Sequence, residues 1–327
     1  MRISDRIKQS VASFLYYTGQ VGIYIRLFPA KEPTILMYHK IDIERFHQQM
    51  DYLKRHYNVV SLKEIISRLK SGQGFQKNTI AITFDDGYIN NYKAFLDMKE
   101  HGFPATLFAV TGYVGTKELS WWDKLRLMVK TTGRKEYTFI FDGKEIELDL
   151  ASQRSRDLSV SILHRLLSRY AMGERAEALR QLSQELGSVQ WSEENGFMSW
   201  KQLQELHSYG FEIGAHTHSH PFLSSLHEKE IEAEIGTSKK ILETKLGTKA
   251  ETFCYPSGDL TKTTKHIVMS LGFSAACGIR KGTVNQYSDI FCLDRVGVNI
   301  KDDLPIFSLK VAGIWARVAE VASDEYA

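Results

Sequence analysis

The sequence has few cysteines, little net charge and no long hydrophobic run, although it contains 327 residues. Its three cysteines, Cys254, Cys277 and Cys292, are an odd number, are widely spaced and lie in apolar segments. We therefore expect them to be small core residues rather than parts of a disulfide framework. The net charge of +3 is too small and too dispersed to attract nucleic acid, so no nucleic-acid partner is expected.

The first 33 residues form a basic segment that lacks a convincing signal peptide. Residues 1–32 contain five basic and two acidic side chains, and polar residues interrupt the apolar stretch at 11–25, which is too polar to span a membrane. Apolar residues recur there at helical spacing, namely Ile3, Ile7, Val11, Phe14 and Leu15. We predict an amphipathic helix over residues 1–33. It either makes peripheral contact with an anionic membrane surface or packs across the bottom of the domain.

Short apolar runs alternate with helical patterns along most of the chain. The seven runs of strand length cover residues 34–38, 80–84, 105–110, 211–215, 252–255, 273–277 and 291–298. Helical patterns between them include residues 43–57, 92–101, 200–209, 228–246 and 263–271. Continuously apolar strands that alternate with helices indicate a parallel α/β sheet buried on both faces. We expect one elaborated domain built on a closed or nearly closed barrel.

The alternation is interrupted by an α+β insertion over residues 117–196. Residues 137–148 are typical of a hairpin that turns at Asp142-Gly143, and a helical region rich in Arg and Leu follows at 157–186. The predicted organisation is an N-terminal amphipathic helix (1–33), a barrel in two parts (34–116 and 197–300) separated by the insertion (117–196), and a C-terminal helix (301–327).

Two adjacent carboxylates, Asp85 and Asp86, end the apolar run at 80–84 and precede Gly87, which permits a sharp turn. Adjacent strand residues point to opposite sides, so one carboxylate can bind a metal while the other handles a proton. The alternative interpretation is a simple Asp-Asp-Gly surface turn.

Histidines follow another predicted strand in the segment His216-Thr217-His218-Ser219-His220-Pro221. The spacing of His216 and His220 brings both imidazoles to one side of a turn, and Pro221 disfavours a full helix there. Two imidazoles and one carboxylate leave an open position for water, as expected of a catalytic rather than a structural zinc site. His218 points elsewhere and is interpreted as a hydrogen-bonded loop residue.

These motifs resemble those of the polysaccharide deacetylases of carbohydrate esterase family 4, which share the NodB-homology domain. Residues 83–87 (Thr-Phe-Asp-Asp-Gly) match the first motif of that family, and His216-Thr217-x-x-His220 matches the second. The resemblance covers about residues 34–115 and 197–300, and it implies an α/β fold of the distorted (β/α)7-type barrel. It also implies that Asp85 is the general base and that Asp86, His216 and His220 hold the metal.

The third family motif departs from the usual pattern, because Cys254 stands where the family has an arginine that orients the catalytic carboxylate. Deacetylases of the exopolysaccharide poly-N-acetylglucosamine look similar here, with an aromatic-Pro version of the motif, which is Tyr255-Pro256 in this chain. Arg295 is a candidate substitute for the missing arginine. The alternative is that Arg295 pairs with Asp294 or with a surface acid. The N–H of Ser257 is expected to donate to the developing oxyanion.

The family's last motif supplies a histidine as general acid from a Leu-x-His sequence, and no such sequence occurs after residue 290. The poly-N-acetylglucosamine deacetylases have a permuted motif order with the acid at the start. This resemblance makes His39, at the end of the first predicted strand, the candidate acid. The candidate substrate-binding residues are aromatic, with a core role as the alternative for the two tryptophans: Tyr88, Trp121, Trp122 and Tyr255.

The sequence thus predicts a metal-dependent hydrolase that removes the N-acetyl group of an amino sugar in a polysaccharide or glycan precursor. One divalent metal is expected, zinc first, with cobalt, nickel or manganese as alternatives. The alternative functions are a deformylase or deacetylase of a lipid-linked amino sugar at the membrane surface and a non-catalytic glycan-binding scaffold. The unpaired cysteines and the lack of a signal peptide favour the cytoplasm or the cytoplasmic face of the membrane, with the envelope as an alternative.

Overall fold

A sheet of short parallel strands forms the centre of the computed structural model, which describes residues 3–170 and 172–315. The strands in the described part of the chain are β1 (Thr34–Tyr38), β2 (Asn58–Val59), β3 (Thr79–Asp86), β4 (Thr106–Ala109), β5 (Glu136–Phe141), β6 (Lys144–Asp149), β7 (Glu212–Ala215), β8 (Thr252–Cys254), β9 (Ala275–Cys277) and β10 (Val296–Gly297), of which β5 and β6 form a separate two-stranded sheet. The main sheet has eight strands in the order β10-β1-β3-β4-β7-β8-β9, with β2 beside β3, and its pairs are parallel. It curls into a half-barrel, which confirms the predicted α/β barrel class.

Helices surround this sheet on its outer side and extend from it at both ends of the chain. They are α1 (Ile3–Tyr17), α2 (Gln20–Leu27), α3 (Ile43–His56), α4 (Leu62–Ser71), α5 (Asn90–His101), α6 (Trp121–Thr131), α7 (Gln153–Leu167), α8 (Met172–Leu186), α9 (Trp200–Ser208), α10 (Glu228–Leu246), α11 (Lys262–Ser270) and α12 (Leu304–Val311). Local signals set their ends. The side chains of Asp42 and Ser61 cap α3 and α4, and the left-handed Gly102 ends α5.

Strand β3 is the central element, and all eight of its residues are buried. Its last residue, Asp86, lies opposite Ala109 of β4, which in turn lies opposite Ala215 of β7. Ala215 lies opposite Phe253 of β8. The carboxyl ends of these four strands therefore meet at one edge of the sheet, where active sites of parallel barrels lie.

The predicted strand at 291–298 needs correction, because only Val296–Gly297 is a strand. Val296 and Gly297 pair with Leu36 and Met37 of β1, whereas Leu293 makes an isolated parallel bridge with Cys277 of β9. The segment thus contacts both edge strands of the half-barrel.

The insertion contains the predicted hairpin, formed by β5 and β6. It turns at Asp142 and Gly143, whose φ values of 51° and 66° are both left-handed. Helices α6, α7 and α8 pack with the hairpin around a core that includes Leu125, Phe139 and Leu163. This core is separate from the one beneath the sheet, so the insertion folds around its own apolar centre.

The N-terminal segment forms two helices rather than the single helix predicted over residues 1–33, because Gly19 adopts a left-handed φ of 77° between them. Helix α1 packs against α12, and Ala12 and Val21 are buried. This packing agrees with the interpretation that the segment lies against the domain. Several large apolar side chains of the segment are nevertheless exposed, namely Phe14, Tyr17, Ile23, Leu27 and Phe28.

The C-terminal helix predicted over residues 301–327 is represented by α12 (Leu304–Val311), and residues 316–327 lie outside the described part of the chain. Within residues 3–170 and 172–315, none of the helices combines the length and the apolar character that crossing a membrane requires.

Candidate active site

The edge at which β3, β4, β7 and β8 end carries an unusual backbone. Four residues of its loops, none of them glycine, have left-handed φ values between 52° and 75°: Asp86, Thr217, His220 and Ser257. Such conformations are costly for residues with a Cβ atom, and they concentrate at functional sites where the surrounding structure holds them. The strain therefore marks this edge as the candidate active site.

Asp86, His216 and His220 converge there, as the spacing of the motifs predicts. Asp86 Oδ1 lies 3.6 Å from His216 Nε2 and 3.7 Å from His220 Nε2. His216 Nδ1 donates to the carbonyl oxygen of Cys254 at 2.7 Å, because a carbonyl can only accept. That bond leaves the Nε2 lone pair of His216 free and aimed at Asp86, which is how ligating histidines are oriented.

These three groups fit a divalent metal ion. Asp86 Oδ1 is buried and has no hydrogen-bond partner, although it lies between two imidazole nitrogens. Burial raises the pKa of the Asp86 carboxyl and lowers the pKa of both His216 and His220, so it shifts each group toward its neutral form. Neutral imidazoles are the form that binds metal, and a cation would stabilise the charged form of the carboxylate. The donor set therefore suits a metal centre.

Asp85 lies beside this group, with a carboxylate oxygen within 4.8 Å of a His216 nitrogen, and it is held by Arg295. The guanidinium donates from Nη1 to Asp85 Oδ1 and from Nη2 to Asp85 Oδ2, each at 2.7 Å. Arg295 also donates to the carbonyl oxygen of Gly278 at 2.8 Å and to Thr83 Oγ1 at 3.0 Å. Asp294, the alternative partner, pairs instead with Arg280 at 2.8 Å. Arg295 is thus placed where it can orient Asp85, although its role in the reaction stays a prediction.

The Asp85–Arg295 pair is fully enclosed, because the two side chains are 2% and 0% exposed. Burial opposes the charge on Asp85, but the charge of Arg295 and its two hydrogen bonds outweigh burial and hold the pKa of Asp85 well below its usual range. Asp85 is therefore ionised at neutral pH.

The side chain of Cys254 lies beside those of Asp85 and Arg295. The three cysteines are free thiols, as the sequence predicts, and Cys254 is fully buried. Its Sγ lies 3.0 Å from Arg295 Nη2 and 3.6 Å from Asp85 Oδ2. A small side chain at position 254 leaves room for the guanidinium of Arg295, which comes from the segment just before β10.

His39 lies on the open side of Asp85. Its Nε2 is 4.0 Å from Asp85 Oδ2, and its side chain is 49% exposed. Ser257 lies in the short turn after β8, is exposed and has a φ of 52°. His218 is a hydrogen-bonded loop residue, since its Nδ1 lies 3.1 Å from Thr111 Oγ1 and its N–H donates to Glu234.

The predicted aromatic contacts to substrate need revision. Tyr88, Trp121 and Tyr255 are at most 4% exposed, so none of them presents a ring face to a sugar. They belong to the core instead, because Tyr88 stacks on Phe197, Trp121 on His164 and Tyr255 packs against Phe253. Trp122 is half-buried, and its ring lies 4.5 Å from that of His220, so it is the aromatic residue that stays a candidate.

A buried acid of the insertion also supports the site, and sequence reasoning missed it. Asp123 is 2% exposed and accepts from Tyr88 Oη at 2.9 Å and from Lys40 Nζ at 3.2 Å. Lys40 follows His39 directly, so this ion pair ties the His39 loop to α6. In the sequence, the position of Asp123 directly after two tryptophans could have marked it as a buried acid. Only the tertiary structure shows that its ion-pair partner is Lys40.

Comparisons with known proteins found similarity in sequence and in fold. A family model described as polysaccharide deacetylase matches residues 72–133 and 188–276. Chitin deacetylase 1 of Cryptococcus neoformans is 35% identical over 74 residues, which are 23% of this chain and only 16% of that protein. YxkH of Bacillus subtilis, provisionally named a polysaccharide deacetylase, is 22% identical over 281 residues, or 83% of this chain and 72% of that protein.

A solved structure extends the likeness over most of the chain. The Streptococcus pyogenes deacetylase PplD, solved in complex with acetate, has a TM-score of 0.57 and 19% identity and covers 87% of this chain and 99% of its own. At this identity the likeness concerns the fold. The segments matched by the family model contain Asp85-Asp86 and the histidines at 216 and 220. The chain thus resembles the polysaccharide deacetylase family over the two matched segments, which make up somewhat less than half of it, and it shares the fold of PplD over most of its length.

Proposed function

We propose that this protein hydrolyses the N-acetyl group of an amino sugar in a polysaccharide or glycan precursor. The observation that carries the proposal is the separation of two buried carboxylates, with Asp86 facing two imidazoles and Asp85 gripped by Arg295. Such a division of environments gives neighbouring acids different roles. A divalent metal ion, zinc first, would be held by Asp86, His216 and His220, and it would polarise the amide carbonyl and lower the pKa of a water molecule.

Asp85 is proposed to accept the proton of the attacking water. Its pKa is held low by Arg295, so it is a weak base, and it suits a water whose own pKa has been lowered. The two hydrogen bonds from Arg295 fix the plane of the carboxylate before the substrate binds. Asp85 is therefore already oriented in the folded protein, and no free energy is needed to orient it during the reaction.

His39 is proposed to protonate the leaving amine. Its side chain is half exposed and its Nε2 is 4.0 Å from Asp85 Oδ2, so a substrate at the mouth of the site can reach both groups. An amine is a poor leaving group unless it receives a proton as the C–N bond breaks. The N–H of Ser257, in the strained turn after β8, is the proposed donor to the oxyanion.

The proposed substrate is a glycan that contains N-acetylglucosamine-type residues. The names of the relatives refer to chitin and to polysaccharides, and these support the substrate class without specifying the polymer. Trp122, half-buried beside His220, is the side chain placed to meet a sugar ring next to the reacting group.

Acetate release tests the proposal. The purified full chain, loaded with Zn²⁺ or Co²⁺, is incubated with N-acetylglucosamine oligomers and polymers, and free acetate is measured. We expect release by the wild type and by Asp294→Asn, a matched control in an ion pair outside the site. Asp85→Asn is expected to be inactive. Binding of these glycans without any acyl release would overturn the proposal and support a non-catalytic scaffold.

A second candidate substrate is a lipid-linked amino sugar at a membrane surface. The supporting observation is the set of exposed apolar side chains on α1, α2 and the residue after them, which accompanies the basic residues of the segment. Co-sedimentation with anionic vesicles tests it, with Ile23→Ser/Leu27→Ser as the variant. Vesicle binding that the variant abolishes, together with acyl release from a lipid-linked sugar, would favour this substrate over a polymer.

A further inference from the structure

Four side chains of α3 and α5 form a cluster on the outer face of the barrel, away from the residues of the candidate active site. Helix α3 supplies His47 and Asp51, and helix α5 supplies Asp97 and His101. On each helix the two residues are four positions apart and therefore share one face. The histidine precedes the acid on α3, and the acid precedes the histidine on α5.

The two pairs match each other across the helices. His47 Nδ1 lies 2.7 Å from Asp97 Oδ1, and His101 Nε2 lies 3.2 Å from Asp51 Oδ1. Both contacts join residues 50 positions apart, so the helices run parallel in a constant register. The imidazole rings are 5.4 Å apart, and one ligand atom each of His47, Asp97 and His101 lies within 4.8 Å of the others.

The donor atoms are arranged as in a metal site. His101 Nδ1 lies 2.8 Å from the backbone carbonyl of Asp97, and because a carbonyl only accepts, this nitrogen carries the proton. In the neutral imidazole the Nε2 lone pair of His101 then faces Asp51 Oδ1 at 3.2 Å, and the backbone bond fixes the direction of the ring. Asp97 Oδ2 is buried and has no hydrogen-bond partner.

Burial distinguishes this cluster from an ordinary surface ion pair. His101 and Asp97 are 7% and 11% exposed, whereas His47 and Asp51 are 54% and 44% exposed. Half of the cluster is therefore enclosed between the helices and half is open to solvent. An ion can enter from the open side and meet groups that are already held in place.

We propose that His47, Asp97 and His101, with Asp51 beside them, bind a second divalent transition-metal ion, which links α3 to α5. Two imidazoles and a carboxylate, with a second carboxylate nearby, suit Zn²⁺, Co²⁺ or Ni²⁺ better than Mg²⁺ or Ca²⁺. Helix α3 follows the loop that carries His39, and α5 follows the turn after β3, the strand that ends in Asp85 and Asp86. The ion would thus connect α3 and α5, the two helices that follow the loops of the candidate active site.

Metal stoichiometry tests this proposal on the full chain. Zinc bound after dialysis against micromolar Zn²⁺ is measured for the wild type, for Asp86→Ala and for His47→Ala/His101→Ala. We expect two equivalents in the wild type and one in each variant. In the Asp86→Ala background, Zn²⁺ is expected to raise the unfolding temperature, and adding His47→Ala/His101→Ala removes that shift.

His56→Ala is the matched control, because His56 lies exposed on α3 outside the cluster and its replacement should leave both equivalents in place. If His47→Ala/His101→Ala unfolds, the single variant His47→Gln, at a half-exposed position, replaces it in the titration. One equivalent in the wild type and none in Asp86→Ala overturns the second site, as does binding at the cluster that requires millimolar Zn²⁺. Either outcome leaves the proposed deacetylase function intact, whereas an inactive protein that binds two equivalents contradicts that function alone.

Discussion

Arg295 grips Asp85 through two parallel hydrogen bonds of 2.7 Å in a site where both side chains are almost completely buried. The arginine lies on the segment that bridges the two edges of the half-barrel, and the carboxylate lies at the end of the central strand β3. An arginine is therefore present beside Asp85 even though Cys254 occupies the position at which the sequence comparison led us to expect one.

Replacement of Arg295 by methionine is expected to leave Asp85 as an unpaired buried carboxylate. Removing one partner of a buried ion pair costs about 3–5 kcal/mol, so the free energy of unfolding should fall by about that amount. The double variant Arg295→Met/Asp85→Asn should recover much of the loss, because its buried amide carries no charge. Chemical denaturation measures all three proteins.

The control for this stability change is Arg280→Met, which breaks the exposed ion pair with Asp294. It should leave the free energy of unfolding unchanged. Equal effects of Arg295→Met and Arg280→Met would show that the buried pair does not stabilise the fold.

Replacing Asp85 and replacing Asp86 should have different effects on activity and on metal content. Asp85→Asn is expected to lower kcat by about 10²–10⁴-fold, the range for loss of a general base, while the protein keeps its active-site metal. Asp86→Asn is expected to lose that metal as well as the activity. Acetate release and elemental analysis are measured on the same samples, and loss of the active-site metal from Asp85→Asn would contradict the assignment.

Removal of the metal should abolish acetate release reversibly. Treatment with a chelator is expected to stop the reaction, and addition of Zn²⁺ or Co²⁺ to restore it, because Asp86, His216 and His220 offer nitrogen and oxygen donors. Restoration should fail in His216→Ala. Full activity after exhaustive chelation, with the metal content verified as zero, would rule out the metal-dependent mechanism.

The role of His39 can be isolated by changing the leaving group. His39→Gln is expected to lose about 10²–10⁴-fold in kcat on an N-acetyl amide, but to retain most of its activity on an aryl acetate ester, whose leaving group needs no proton. His56→Gln, another exposed histidine, should behave as the wild type on both substrates. A parallel loss on amide and ester would assign His39 a role other than general acid.

Placing an arginine at position 254 instead of at position 295 tests whether Cys254 must be small to leave room for Arg295. Cys254→Arg by itself should destabilise the protein, because it places a second guanidinium against the buried Arg295. In the double variant Cys254→Arg/Arg295→Ala, the new arginine has the space that Arg295 leaves. We expect that protein to be more active and more stable than Arg295→Ala alone, as judged by kcat and thermal unfolding; no gain would mean that only position 295 allows the bidentate geometry.

Local sequence determined much of the fold and the candidate metal-ligand set. The strand at 34–38 and the helix at 228–246 form with the predicted bounds, because each has a strong apolar pattern between clear ends. Asp85-Asp86 and the histidines at 216 and 220 were identifiable because a strand end or a single turn fixes the spacing of such residues.

Only the tertiary structure decided the contacts between distant segments. Asp85 and Arg295 are 210 positions apart, and they meet because the segment after β9 contacts both edge strands of the half-barrel and pairs with β1. The same holds for the burial of Tyr88, Trp121 and Tyr255, and for the His47–Asp97 contact between α3 and α5. Periodicity in the sequence identifies which face of an element is apolar, but the neighbour of that face depends on strand order and register, which local pattern does not encode.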